Sequence, residues 1–303
     1  MSAVFGWDQV TKRFGKQVAL SRLTLSSEPG SVVALLGDNG AGKTTAIRIL
    51  LGLLEPTMGS SHVFGLDSQS HGQTIRQRVG YVPDRPALYE WMTVEQIGWF
   101  AAGFYPDGFY QRFCEYVGQF GLPIDKKIKT LSKGMRSKVS LALCMGHEPE
   151  LLVLDEPTSG LDPVVRREFL ESMVDVAARG RTVLLSSHQI VEVERIADVI
   201  AIIRQGELLL VERLDKLKEE VREITLTLGN GSTTLPELGG VIISQHQRDR
   251  QWRVLLRGGE DSRLAALRDE GTLLEVESRQ PSLEDIFVGV LKATGPSHSA
   301  SGQ

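Results

Sequence analysis

Residues Gly37 to Thr45 read Gly-Asp-Asn-Gly-Ala-Gly-Lys-Thr-Thr, and no other stretch constrains the chain as strongly. They fit Gly-x-x-x-x-Gly-Lys-Ser/Thr, the phosphate-binding loop. The flanks supply the context this motif needs. Ser31 to Leu36 is a short apolar, β-branched run that reads as a buried strand. Thr44 to Leu51 has helical spacing, with Gly52 placed to close the helix. Gly37, Gly40 and Gly42 let the backbone pass close to a polyphosphate and adopt positive φ angles. The N–H groups of the loop and the positive end of the helix dipole then face the anion. Lys43 adds a point charge at the β- and γ-phosphates, and the Thr44 hydroxyl is placed to ligate magnesium. Asp38, Asn39, Ala41 and Thr45 complete the cradle. A chance glycine turn would fit the bare pattern, but not a strand before it and a helix after it.

Composition narrows the field. The chain has 303 residues, 41% hydrophobic and 24% charged, enough for one large domain and a small one. Its formal net charge of -4 lacks the basic footprint of a general nucleic-acid binder. Two cysteines, Cys114 and Cys144, form no Cys-x-x-Cys and read as buried free thiols of a reducing compartment. The six histidines show no zinc spacing. No apolar run approaches the ~18 residues needed to span a bilayer. The N-terminal residues lack a basic region followed by an apolar core, so no signal peptide is expected.

Along the chain, Val4–Val10 and Leu23–Ser27 read as strands joined through a loop at Lys12–Lys16, with Phe14 in that loop. After the first helix comes a turn cluster at Glu55–Ser60, a short strand at Ser61–Phe64, a helix at Thr74–Arg78, and a strand at Val79–Val82 that Pro83 ends. From Trp91 to about Gly146 the pattern is helical. Thr93 and Gln96 form a capping box, Tyr110–Phe120 is a second helix, and Ser132 caps a third from Lys133 to Met145. Lys126, Lys127 and Lys129 read as a solvated basic loop. Strands at Leu151–Leu154, Thr182–Ser186 and Val199–Ile203 alternate with helices, one opening at Asp162-Pro163 and one carrying Ile190, Val193 and Ile196 inward. That alternation predicts a mainly parallel sheet. A charged helix at Glu212–Glu220 marks a boundary. Beyond it, strands at Ile224–Leu228, Val241–Ser244 and Trp252–Leu256 and helices at Ser262–Asp269 and Ser282–Lys292 predict a small α+β unit.

The second strong motif is Leu151-Leu-Val-Leu followed by Asp155 and Glu156. Four apolar residues bury a strand, and two carboxylates emerge at its C-terminal end, where ligands bind in such sheets. Asp155 is expected to hold magnesium and Glu156 to polarise an attacking water. A surface acidic pair is the bland alternative, and the phosphate loop upstream argues against it.

Taken together, these residues resemble the nucleotide-binding subunits of ABC transporters over about residues 3–220. Gly37–Thr45 resembles Walker A, and Leu151–Glu156 resembles Walker B with its catalytic glutamate. Leu131-Ser132-Lys133-Gly134-Met135 is similar to the signature Leu-Ser-Gly-Gly-Gln, and Ser159–Asp162 to the D-loop. His188 falls where the switch histidine is expected, Phe14 at the adenine-stacking aromatic, and Asp84 in the Q-loop.

The resemblance implies an α/β P-loop NTPase of ABC type. Its parts would be a mainly parallel core sheet, an antiparallel β subdomain, a helical subdomain at about 85–148, a C-terminal α+β extension at 221–294 and a disordered tail at 295–303. It also implies that Glu156, His188 and Lys43 are catalytic and that ATP and magnesium are bound. Thr44, Asp84 and Asp155 would hold the metal. Ser132 and Gly134 would clamp a γ-phosphate held by a second ATP-binding subunit. The chain would sit at the inner face of the cell membrane through a separate permease, with no nucleic-acid partner. A soluble ABC ATPase acting on nucleic acid, ribosomes or cluster assembly is the alternative.

Three residues depart from the family pattern. Lys133 replaces the first signature glycine, and Met135 replaces a glutamine and cannot donate a hydrogen bond to a ribose. Asp84 stands where glutamine is usual. Leu-Ser-Lys-Gly-Met is similar to the signature of the drug, antibiotic and polysaccharide exporter branch, as is Pro281–Phe287 to the end of its extension. Leu88, Tyr89, Trp91 and Met92 follow Asp84. They are expected either to pack as core or to form an exposed patch that takes a short helix from the membrane subunit.

Overall fold

The computed structural model describes residues 3–178, 180–229 and 234–293, so the tail expected at 295–303 lies outside the described residues. The chain forms two compact units, Met1–Val211 and Glu212–Gln303.

The first unit opens with a hairpin of β1 (Phe5–Phe14) and β2 (Gln17–Ser26), paired antiparallel. Lys12 to Lys16, expected as a loop, instead completes β1 and the turn after it. Phe14 is the last strand residue, and Gly15 turns with φ +57°. Charged residues at the solvent end of a hairpin leave no apolar alternation to read. There follow β3 (Val32–Leu36), α1 (Lys43–Leu50), β4 (Met58–Val63), β5 (Leu66–Asp67), α2 (Gly72–Arg78) and β6 (Val79–Val82). Three helices come next, α3 (Val94–Ala102), α4 (Phe109–Gln119) and α5 (Lys133–Met145). The chain continues with β7 (Leu151–Asp155), α6 (Pro163–Ala178), β8 (Thr182–Ser187), α7 (Ile190–Val193), β9 (Val199–Arg204) and β10 (Glu207–Arg213), whose last two residues pass the unit boundary.

Two sheets result. One has the order β2-β1-β4-β5, and the other β10-β9-β3-β8-β7-β6. In the second, β3 pairs parallel with both β8 and β9, and β7 pairs parallel with both β6 and β8. Every residue of β3, β7 and β8 is buried, which is why Val32–Leu36, Leu151–Leu154 and Val183–Leu185 read as continuous apolar runs rather than alternating ones. Their register puts Leu36 opposite Ser187 and Asp155 opposite Ser186. The phosphate-loop start, the two carboxylates and His188 therefore leave the sheet side by side at its C-terminal edge.

The antiparallel sheet is fastened over α1. Trp7 is buried, its indole Nε1 donates to the Ala46 carbonyl at 3.0 Å, and its ring meets Phe5 edge-on at 5.6 Å. A buried aromatic of this kind contributes roughly 1.5–3 kcal/mol through burial, and here it also fixes the helix that carries Lys43.

Helices α3–α5 enclose a second core of Val94, Ile97, Phe109, Phe113, Val139 and Ala142. The capping box forms as expected: Gln96 N donates to Thr93 Oγ1 at 3.1 Å and Thr93 N to Gln96 Oε1 at 2.9 Å.

In the second unit, α8 (Leu214–Glu220) lies next to the unit's first strand in sequence. It leads into β11 (Val221–Leu228), β12 (Val241–Arg248), β13 (Gln251–Arg257), α9 (Asp261–Asp269), β14 (Leu273–Arg279) and α10 (Leu283–Ala293). The strands form an antiparallel sheet in the order β12-β13-β11-β14. Strand β14 went unread in the sequence because Leu-Leu-Glu-Val-Glu-Ser-Arg is mostly polar and mostly exposed at the sheet edge.

Candidate active site

The phosphate loop leaves β3 at Gly37 and enters α1 at Lys43. Glycine is required at Gly42, where φ is +112° and a Cβ would meet the Ala19 carbonyl oxygen at 2.6 Å. At Gly37 a Cβ would collide with the Ile203 carbonyl. The loop is therefore held against β2 and β9.

Lys43 is 5% exposed, and its ammonium meets three oxygens: Gly37 O at 2.6 Å, Asp38 O at 3.1 Å and Glu156 Oε1 at 2.9 Å. The other Glu156 oxygen lies 2.7 Å from His188 Nδ1. Glu156 has φ +50°, a costly conformation for a non-glycine residue, and its N–H is held by the Ser186 carbonyl and hydroxyl, both at 3.1 Å. That turn swings its carboxylate away from the line of β7 and toward Lys43.

Asp155 is 1% exposed. Burial pushes its pKa up, hydrogen bonds from Ser186 and Thr44 pull it down, and the negative charges of Glu156 and Asp84 raise it further, leaving it above the ordinary carboxylate value. The Ser186 hydroxyl donates to Asp155 Oδ1 at 2.6 Å. A carboxylate set this deep beside two others is electrostatically prepared to receive a cation.

A cavity of about 480 Å³ opens above the loop, lined by Phe14, Asn39, Gly40, Gly42, Lys43, Thr44, Thr45, Asp84 and Glu156, and on its far wall by Gln17, Val18, Ala19 and Gln205. The Phe14 ring is half exposed at its rim, with Lys12 Nζ 5.1 Å from the ring centre. Thr44 and Glu156 on the wall connect the cavity to Asp155 and His188. Asp38 is joined to it through its carbonyl on Lys43, and the Ala41 N–H closes the loop turn onto Asp38 O at 3.1 Å. Ser132 and Gly134 lie outside this cavity. Ser132 caps α5, its hydroxyl accepting from Met135 N at 3.2 Å, and Gly134 in the first turn is packed so closely that a Cβ would meet Val165 at 2.6 Å. Met135 packs partly buried against the helical core, as a thioether rather than an amide would.

Three residues of this neighbourhood went unread in the sequence: Ser186, Thr158 and Glu192. Glu192 is buried, although its helix was expected to turn Ile190, Val193 and Ile196 inward. Helix α7 is four residues long, and the buried side is Glu192 and Val193 with Ala197 just beyond. Apolar spacing alone cannot find a buried carboxylate.

The ABC transporter family model matches residues 20–159. An uncharacterized ABC transporter ATP-binding protein of Nostoc sp. is 34% identical over 91% of this chain and 84% of its own length. The bacitracin transport ATP-binding protein BcrA of Bacillus licheniformis is 33% identical over 96% of this chain and 98% of its own. The chain belongs to the ABC transporter ATP-binding proteins. A solved ATP-binding subunit of an ABC transporter is 31% identical, with TM-score 0.65 over 71% of this chain and 92% of that one. As an ABC ATP-binding protein the chain binds and hydrolyses ATP to power a transporter, on a P-loop cassette with a parallel core. No described helix is long and apolar enough to cross a membrane.

Proposed function

We propose that the chain is the ATPase of an exporter, working as one of two ATP-binding subunits on the inner face of the membrane beneath a separate permease. The observation that carries this reading is the contact of Lys43, Glu156 and His188 through one carboxylate, at the wall of a cavity whose rim is Phe14. Adenine stacks on Phe14, the loop amides of Asn39, Gly40 and Gly42 to Thr45 together with the Lys43 ammonium hold the phosphates, and Glu156 polarises the water that attacks the γ-phosphorus. His188 holds the Glu156 carboxylate in place.

Thr44, Asp155 and Asp84 offer an all-oxygen donor set, the chemistry magnesium accepts, and the Thr44 hydroxyl is close enough to the Asp155 carboxylate to pull its pKa down. A magnesium ion bound by them supplies positive charge to the phosphate oxygens.

Ser132 and Gly134 sit outside the cavity and at a helix N-terminus, as groups would that serve the nucleotide of a second subunit. ATP then binds two subunits together and its hydrolysis releases them. Export is supported by the similarity to a bacitracin transport protein and by the Leu-Ser-Lys-Gly-Met signature.

For the permease contact we infer the surface around Tyr89 and Trp91, which are 49% and 65% exposed. The four-residue patch expected from the sequence divides: Met92 is buried and Leu88 half-buried against the helical core, so these two are packing residues. Tyr89 continues instead into an aromatic row, its ring 5.5 Å from Phe100, which lies 5.3 Å from Phe104. Beside the row is an apolar cavity of about 400 Å³ that Leu88, Ala101, Tyr105 and Leu143 help line. This is the shape and chemistry a short amphipathic helix needs. Purification of the tagged chain from detergent-solubilised membranes tests the assignment. A multi-helix membrane protein in stoichiometric yield is the expected result, and recovery with ribosomes or nucleic acid instead would overturn it.

A further inference from the structure

The buried carboxylate of Glu192 closes a circuit around the catalytic pair. Its Oε2 accepts from the Thr158 hydroxyl at 2.8 Å, and Thr158 is 3% exposed and two residues after Glu156. Its Oε1 lies 2.8 Å from Arg166 Nη1, and the same guanidinium donates through Nη2 to the Leu161 carbonyl at 3.0 Å. Glu192 thus pins one end of the loop Thr158–Leu161 directly and the other through Arg166 of α6. Glu192 itself is on α7, four residues after His188, whose ring meets Glu156 at 2.7 Å. The path from Glu156 to His188, along the chain to Glu192, across to Thr158 and back to Glu156 is closed, with a hydrogen bond or ion pair at each crossing.

The pinned loop has a second neighbour. A Cβ on Gly160 would meet the Lys133 ammonium at 2.5 Å, and one on Gly134 would meet Leu161 at 3.6 Å. The first turn of α5, with Ser132, therefore rests on the same loop that Glu192 fixes. A charged group 8% exposed is costly unless it is paired, and here one oxygen meets the loop at Thr158 and the other meets Arg166 of α6.

We propose that Glu192 is a positioning residue for ATP hydrolysis. It holds the helix after His188 and the loop after Glu156 as one body, so that the imidazole keeps the Glu156 carboxylate aimed. This rests on the roles given above to Glu156 and His188. Glu192 touches neither nucleotide loop nor cavity, so its loss should fall on turnover and leave ATP binding alone.

The test is a double-mutant cycle on the full-length chain. Glu192→Gln keeps an oxygen for Thr158 but loses the charge facing Arg166. It should lower kcat by about tenfold to 100-fold, the range for misplacing a catalytic group by about an ångström, with KM for ATP within about twofold of wild type. In a His188→Ala background the same substitution should cost less than about twofold, because the ring it positions is gone. Thr158→Val, which removes the donor from the other side of the same bond, should reproduce the split between kcat and KM. It also serves as the test if Glu192→Gln fails to fold. Equal losses in the wild-type and His188→Ala backgrounds would overturn the positioning role while leaving the site assignment intact. Unchanged turnover in His188→Ala alone would overturn the assignment of His188, and the positioning role with it.

Discussion

Lys43 and Glu156 hold each other at 2.9 Å, and the ammonium also meets the carbonyls of Gly37 and Asp38. The cation assigned to the phosphates and the carboxylate assigned to the water are therefore direct neighbours.

Replacing Lys43 with Ala removes the cation and leaves Thr44 and Asp155 in place. A charge-assisted hydrogen bond contributes about 1.5–3 kcal/mol, so ATP affinity should fall by roughly tenfold to 150-fold. Titration with a fluorescent ATP analogue measures this. Undiminished affinity would mean that the loop does not hold the polyphosphate through Lys43.

The permease surface gives a prediction with two readouts. Tyr89→Ala with Trp91→Ala removes two exposed rings while Met92 and Leu88 keep the helical core filled. The purified double variant should retain its circular dichroism and its ATPase rate, and pull-down from detergent extract should recover several-fold less permease. Unfolding would assign both rings to the core, and normal recovery would move the docking surface elsewhere.

Much of this was legible in the sequence because the chemistry is local. The phosphate loop, the buried runs of β3, β7 and β8, the Thr93 capping box and the Asp162 cap, whose Oδ1 accepts from Val164 and Val165 N–H, are all short-range patterns. The features that escaped are non-local or polar. Phe14 ends a strand whose solvent tip carries no apolar alternation, and β14 is a polar edge. Glu192 is buried by partners at Thr158 and Arg166 that lie more than twenty residues away in sequence. Nothing in a 3.6-residue period signals a carboxylate whose burial is made tolerable by a distant hydroxyl.

The second unit should carry an acid-sensitive element at Glu223, a carboxylate 6% exposed. Burial alone would raise its pKa, but hydrogen bonds from Arg253 and Arg279 outweigh that and hold it below the ordinary value. With the folded pKa depressed, its stabilisation is present above the unfolded carboxylate value of about 4.3 and is lost as the pH falls through the folded one. Comparing thermal unfolding of wild type with Glu223→Gln isolates this group from the other carboxylates. The wild-type advantage in Tm should be largest near neutral pH and shrink as the pH falls below about 4. An advantage that stayed constant with pH would show that Glu223 is not ionised in its pair.

The central claim is that Glu156 acts in hydrolysis and not in holding the nucleotide, and Glu156→Gln tests it most directly. The amide keeps the size and a hydrogen-bonding oxygen but cannot polarise water as a carboxylate does. ATPase rate and size-exclusion elution should be measured on the same preparation with ATP. The account predicts wild-type ATP binding, turnover lowered by at least about 100-fold, and a shift to an ATP-dependent dimer. Turnover within about twofold of wild type would contradict it.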